Sequence, residues 1–151
     1  MPDTPRLRLE ILTTERLVYA DDVDMVLAPG VTGQLGILPK HAPLIARLGH
    51  GELVARKGGR EEAFAISSGF MEVLSDRVVV LADTAEPADE IDVRRAEAAR
   101  ERATRLVQQR LGRMEAARAE ADLRRSLTRL RVAGRRAPRT WPAGRETLGE
   151  E

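Results

Sequence analysis

Cysteine is absent from the 151 residues, which excludes a disulfide scaffold, a thiolate zinc site and a cysteine nucleophile. Aromatic residues make up 3% of the chain, too few for the stacking platforms that hold single-stranded nucleic acid. No apolar run approaches the length of a membrane span, so no direct membrane insertion is expected. The opening Met1-Pro2-Asp3-Thr4-Pro5 lacks the basic-then-apolar pattern of a secretory signal, and a soluble, non-secreted chain is the default expectation. Lysine occurs only as Lys40 and Lys57.

Arginine is plentiful instead. The formal net charge of +1 hides an asymmetry: residues 1–85 carry −3, residues 86–151 carry +4, and the second part is basic through arginine alone. A guanidinium stays charged and forks onto carboxylates and phosphates. An arginine-rich composition can also be a habit of the genome, so placement has to carry any functional argument. The length suits one domain with a small appendage, large enough to bury a core without staples.

The chain changes character near residue 86. Before it, Leu7, Leu9 and Ile11 alternate with Arg6, Arg8 and Glu10, and Val23, Met25 and Leu27 repeat the period of two. Further strands are predicted at 53–56, 63–66, 70–74 and 78–81. Turn signals fall between them at Pro29-Gly30, Gly49, Gly51, Gly58-Gly59, Ser67-Ser68-Gly69 and Ser75-Asp76. Short strands at this spacing predict a sandwich or barrel.

After residue 86 the period becomes helical. Pro87 ends the β unit, and Asp89 or Asp92 can cap a helix. Val93, Ala96, Ala99, Ala103, Leu106 and Val107 form an apolar stripe, with Gly112 as a stop. A second helix carries Ala116, Ala119, Leu123, Leu127 and Leu130, and ends at Gly134 and Pro138. The expected class is α+β, an N-terminal antiparallel β-sandwich followed by a C-terminal antiparallel two-helix hairpin. The expected divisions are 1–86, 87–136 and a loose tail over 137–151 that holds Trp141. An alanine stripe buries little area, so the hairpin should be marginally stable and lean on the sandwich.

Catalytic chemistry is not evident. Gly33-x-x-Gly36 has no Gly-Lys-Ser/Thr beside it and reads as tight turns. His41 and His50 have no acid cluster nearby, so they read as loop histidines rather than metal ligands. Ser67-Ser68-Gly69 is no nucleophile elbow. Neither catalytic residues, metal ligands nor a required cofactor are expected. On the helices, Asp92, Arg95 and Arg102 share one face, and Arg118, Asp122, Arg125 and Arg129 share another. These are either solvated faces threaded with i,i+4 pairs or two arginine faces that repel unless a polyanion lies between them.

Three blocks then carry a resemblance. They are Gly33-Gln34-Leu35-Gly36-Ile37-Leu38-Pro39-Lys40-His41-Ala42-Pro43-Leu44, Ser68-Gly69-Phe70-Met71-Glu72-Val73, and Val80-Leu81-Ala82-Asp83-Thr84-Ala85. In this order, with Leu130-Arg131-Val132 near the end, the chain resembles the epsilon subunit of F-type ATP synthases over about residues 6–137. The resemblance implies a non-catalytic subunit of the central rotor that couples the c-ring to the gamma subunit. It implies a peripheral location on the cytoplasmic face of the bacterial inner membrane. Thr13, Gln34 and His41 would lie near gamma and the c-ring; Gln34 stands where some relatives carry an acid. The hairpin would regulate ATP hydrolysis, and when extended it would meet the beta subunit through Arg118, Arg125, Arg129, Arg135 and Arg136.

Some members bind ATP on the folded hairpin through an Ile/Leu-Asp-x-x-Arg-Ala motif. Here Ile91-Asp92-Val93-Arg94-Arg95-Ala96 matches it. The accompanying positions fall on Glu86, Arg102, Arg125 and Arg129. The resemblance therefore implies ATP as a regulatory ligand held by Glu86, Ile91, Asp92, Arg95, Arg102, Arg125 and Arg129. Two alternatives stay open: a rotor subunit without ATP-sensing or inhibitory strength, and a β-sandwich adaptor whose arginine hairpin binds nucleic acid. Balanced charge and scarce aromatics speak against the latter, and no nucleic-acid partner is expected.

Overall fold

The computed structural model describes residues 4–135. Eight strands come first: β1 (Leu7–Leu12), β2 (Leu17–Val23), β3 (Met25–Gly30), β4 (Gly33–Ile37), β5 (Leu44–Leu48), β6 (Gly51–Lys57), β7 (Arg60–Leu74) and β8 (Arg77–Pro87). A 3-10 turn over Ala88–Glu90 leads to α1 (Val93–Val107) and α2 (Arg113–Ala133). The expected sandwich followed by two helices is present. All strand pairs are antiparallel except one, since β1 runs parallel to β8 with Leu9 opposite Val78.

The interior is filled by alternate residues of every strand, among them Leu7, Leu9, Ile11, Val26, Ile37, Leu48, Leu53, Phe64, Met71, Val78 and Val80. The tight turn at Gly58-Gly59 has both residues at positive φ. It joins β6 to β7 with Lys57 opposite Arg60, as a two-residue hairpin turn requires.

Two expectations are corrected within the strands. Ser67-Ser68-Gly69 is not a turn between strands; it is a kink inside β7. The ladder to β8 continues through it, with Ser67 opposite Thr84 and Gly69 opposite Ala82. The first half of β7 pairs with β6 and the second half with β5, so the kink carries one strand between the two layers. Ser68 (φ 37°) and Gly69 (φ 145°) absorb the bend, and the Ser68 hydroxyl donates to Asp83 at 2.6 Å. The second correction concerns Val23, Met25 and Leu27. The chain breaks at Asp24, and Val26 and Ala28 take over the inner face. Leu27 instead points to the outer side. Strands β4 and β5 are too short for their period to stand out in the sequence, and Gly33 and Gly36, read there as tight turns, lie within β4.

That outer side explains the consecutive buried residues Leu53-Val54-Ala55 and Ala63-Phe64-Ala65-Ile66. These strands are covered on both faces. Val54, Ala63 and Ala65 meet Ala88, Ile91, Val132 and Ala133 in a second cluster, with Leu27 and Val93 at its margin. This cluster seats the hairpin. Asp92 caps α1 by accepting from the Arg95 backbone N–H at 3.1 Å, as expected of an aspartate at that position.

Helix boundaries depart from expectation at Gly112. Helix α1 ends at Val107, where the Gln108 N–H bonds the Thr104 carbonyl at 3.2 Å. Gly112 is instead the extended residue preceding α2. Gly134 does end α2, while Pro138, Trp141 and the predicted tail lie outside the described residues. On α2 the buried residues are Ala119, Ser126, Val132 and Ala133, and Leu127 is exposed. Small side chains at 119, 126 and 133 let the helix approach its neighbours closely; of the expected face Ala116, Ala119, Leu123, Leu127 and Leu130, only Ala119 is fully buried.

A methyl group at Gly69 would lie 2.1 Å from the Leu81 carbonyl oxygen and 2.8 Å from Ala82 Cα. Gly69→Ala should therefore lower stability by about 3 kcal/mol or more, through overlap and positive-φ strain together. Denaturant unfolding followed by circular dichroism checks this.

Candidate functional site

The closed hairpin leaves a cavity of about 390 Å³ between both helices and the β7–β8 ladder. Its floor is Ala65, Ile66 and Ser67 of β7 with Thr84 and Glu86 of β8. Helix α1 contributes Ala99, Arg102, Ala103 and Leu106, and α2 contributes Asp122, Arg125, Ser126, Thr128 and Arg129. His50, in the connection between β5 and β6, completes the lining. The volume falls in the range of small-ligand sites, which combine apolar walls with a few convergent polar groups.

Four of the seven residues expected to hold ATP, namely Glu86, Arg102, Arg125 and Arg129, line this one space. Arg95 lines an adjoining recess with Arg102 and Arg129. Ile91 and Asp92 line neither recess: Ile91 is buried in the hairpin seat, and Asp92 caps α1.

Two of the four arginines at these recesses are ion-paired, so neither of the two pictures, solvated faces threaded with i,i+4 pairs or bare repelling faces, holds throughout. Arg125 pairs with Asp122 on its own helix. Arg129 reaches from α2 to Glu86 on β8, with Nη2 2.9 Å from Oε2 and Nε 2.8 Å from Oε1. Only the Nη2 contact has hydrogen-bond alignment, so the buried Nε–H is held by charge alone. Arg102 has no ion-pair partner among the described residues. The cavity lining thus sets two carboxylates, Glu86 and Asp122, against three guanidiniums, Arg102, Arg125 and Arg129.

His50 is exposed at the rim of the cavity; partial desolvation, then Arg125 and Arg124, lower its proton affinity from the ordinary histidine value, with Asp83 opposing. His50 was expected to be a plain loop histidine. Its place at the cavity follows from the hairpin's packing, and no local sequence signal marks it.

Of the remaining arginines, Arg118 is exposed and Arg136 lies outside the described residues. Arg135 is engaged: its guanidinium meets Glu52 at 2.9 Å and Glu61 at 3.1 Å. Arg56 holds the other side of Glu61 at 2.9 Å. The Glu52 and Glu61 side chains are only 12% and 8% exposed. A second tie joins Arg16, after β1, to Glu90 in the 3-10 turn.

The residues expected near the rotor are spread over the sandwich. Thr13 borders a groove with Arg47, Ser68, Phe70 and Leu81. Gln34 is exposed at the start of β4, opposite Pro29, and that hairpin ties back to Arg47 through the Val31 N–H at 3.0 Å. His41 sits elsewhere, in the β4–β5 connection, where Lys40 N–H bonds the Asp76 carboxylate beyond the far end of β7. The outer face between them exposes Ile45, Phe70 and Leu81 by 74%, 56% and 57%, interleaved with Arg47, Glu72 and Glu10. Strand register sets Arg47, Phe70, Leu81 and Leu12 in one row.

The beta-sandwich domain model of the ATP synthase delta/epsilon chain matches residues 6–88. The long alpha-helix domain model of the same chain matches residues 89–134. The chain belongs to this family. Curated relatives named ATP synthase epsilon chain include one from Herpetosiphon aurantiacus, 54% identical over 127 residues that cover 84% of this chain and 93% of that one. Another, from Dehalococcoides mccartyi, is 49% identical over 132 residues, 87% of this chain and 94% of that one. The fold is also similar to a chain in the Euglena gracilis mitochondrial ATP synthase, OSCP/F1/c-ring, with a TM-score of 0.71 and 22% identity over 80% of this chain and 77% of that one. An ATP synthase epsilon chain is a subunit of the assembly and not its catalytic chain.

In this epsilon-family chain the ties at Arg129 and Arg135 connect the hairpin to the sandwich. Removing Arg135 strips Glu52 of its ion-pair partner in a buried setting, which costs stability unless the hairpin lifts away. Arg135→Ala should therefore speed proteolytic cleavage of the 87–92 connection by about tenfold, equivalent to about 1.4 kcal/mol of lost docking. Limited proteolysis against the parent chain measures it.

Proposed function

We propose that the chain is a central-rotor subunit that couples the c-ring to gamma, and that its hairpin senses ATP and restrains ATP hydrolysis. The observation that carries the sensor reading is the convergence of Glu86, Arg102, Arg125 and Arg129 on one cavity that exists only while the hairpin is closed. ATP there exchanges the carboxylates of Glu86 and Asp122 for phosphate oxygens on Arg129 and Arg125, with Arg102 as a third cation. Arginine suits this because its fork binds two phosphate oxygens at once. The apolar wall of Ala65, Ile66, Ala99, Ala103 and Leu106 takes the base without aromatic stacking.

Linkage sets the scale. ATP at about 100 times its dissociation constant favours the closed state by about 2.7 kcal/mol. That is enough to decide the position of a hairpin seated mostly on alanines. Arg118, Arg125, Arg129, Arg135 and Arg136 are the side chains an acidic surface of the beta subunit would meet when the hairpin extends. Arg125, Arg129 and Arg135 are engaged in the closed state, so the two uses exclude each other. The apolar row at Phe70 and Leu81 supports gamma docking, since exposed patches of this kind mark interaction surfaces. Thr13 borders it, and Gln34 stands exposed on the β3–β4 hairpin that ties back to Arg47; both are the residues we assign to a c-ring contact. The location that follows is the cytoplasmic face of the bacterial inner membrane, held by partners; no helix among the described residues is long and apolar enough to cross a membrane. Family membership leaves the nucleic-acid adaptor reading without support.

Calorimetric titration of the full chain with ATP tests the sensor. Binding is expected, and the double variant Arg125→Ala, Arg129→Ala should weaken it at least a hundredfold, about 2.7 kcal/mol or more. Absence of binding up to millimolar ATP overturns this reading.

Inhibition has a separate test. An assembly reconstituted with the chain truncated after residue 86 should hydrolyse ATP several-fold faster than one with the full chain. Equal rates would show that the hairpin does not restrain hydrolysis.

A further inference from the structure

His50 is the one cavity residue supplied by neither helix nor the β7–β8 ladder. It is fixed in a two-residue connection whose Gly49 N–H bonds the Pro29 carbonyl at 2.9 Å. The charged groups around it come from three elements: Arg124, Arg125, Asp122 and Arg129 from α2, Arg102 from α1, and Asp83 and Glu86 from β8. Only Arg124 and Arg125 among the basic groups depress its proton affinity, and Asp83 offsets them in part.

We propose that His50 is a further nucleotide-binding residue of this cavity and makes ATP binding proton-coupled: acidification loosens the closed hairpin when the cavity is empty and tightens it when a polyphosphate is bound. The inference rests on the nucleotide reading of the same cavity.

The sign follows from which charges His50 faces. In the empty closed state, partial desolvation and the two arginines disfavour the imidazolium. This contribution to closure is complete above the ordinary histidine value of about 6.5. It is lost as pH falls through the lowered value. A triphosphate lodged on Arg125, Arg129 and Arg102 cancels their field and adds negative charge at the cavity. The imidazolium is then favoured and donates a charge-assisted hydrogen bond to a phosphate oxygen. Binding of ATP thus takes up a proton at His50 in mildly acidic solution, and affinity rises as pH falls. Above neutrality His50 is uncharged in both states and contributes little.

Proton NMR of the full chain reads this directly, because the sequence holds only His41 and His50. His41 lies outside the cavity and supplies the reference signal. The expected result is an upward move of the His50 titration midpoint on saturation with ATP. In parallel, ATP affinity is measured at pH 8 and pH 6 for the parent chain and for His50→Gln. Comparing the two chains cancels the protonation of ATP itself. The parent should gain about threefold more affinity on acidification than the variant, and the two should agree at pH 8. A His50 midpoint unmoved by bound ATP, or equal gains in both chains, overturns the proposal and leaves the ATP site standing. If millimolar ATP moves no signal of α1 or α2, the nucleotide reading itself fails, and the role of His50 fails with it.

Discussion

The hairpin, and every feature built on it, depends on the outer face of the β6–β7 ladder. Val54, Ala63 and Ala65 form a dry surface there because β7 changes layers at Ser68–Gly69. The kink lets one strand close the sandwich interior with Met71 and Val73, and still present its first half to the helices. Without the kink, the strand that floors the cavity would not stand beside Glu86. The contact is small: four of its seven buried residues are alanines, joined by Val54, Ile91 and Val132. Apolar burial at roughly 25 cal/mol per Å² therefore holds the hairpin only lightly.

Charge supplies what apolar area does not. Arg16, Arg129 and Arg135 each join the sandwich to the hairpin or its lead-in, to Glu90, Glu86, and Glu52 with Glu61. Ion pairs of this kind gain little net energy when partly buried, because desolvation offsets attraction. They do fix one geometry, since breaking them strands a charge. A light apolar seat with specific ionic ties is the construction expected of an element with two stable positions. The arginines lining the cavity are part of the same system. Their carboxylate partners, Glu86 and Asp122, offset two of the three guanidiniums and leave Arg102 unpaired among the described residues.

The two working surfaces lie on opposite sides of β7. The hairpin covers its first half, while the second half shows Phe70 outward in a row with Arg47, Leu81 and Leu12. The hairpin therefore leaves the Phe70 row uncovered. A single strand, bent once, is the mechanical link between them.

The period of two around residues 7–11, the helical period after residue 92 and the aspartate cap could all be read locally. Each depends on neighbours within a few positions along the chain. The motif at Ile91–Ala96 and the positions Glu86, Arg102, Arg125 and Arg129 came from the family resemblance; the fold brings the last four to one cavity but leaves Ile91 and Asp92 out of it. Local pattern misread Ser67-Ser68-Gly69 as a turn, because glycine signals positive φ without saying whether a ladder continues on both sides. It misread the alternation at Val23–Leu27, because the slip at Asp24 is settled by pairing with β6. It took His50 for a loop residue, and it could not know that Arg125 and Arg129 are paired by Asp122 and Glu86. Sequence alone determined the order of a β unit and two helices, the family and which side chains carry charge. The tertiary structure alone decided which charges face each other, because strand register and the hairpin's seat act between residues far apart in the chain.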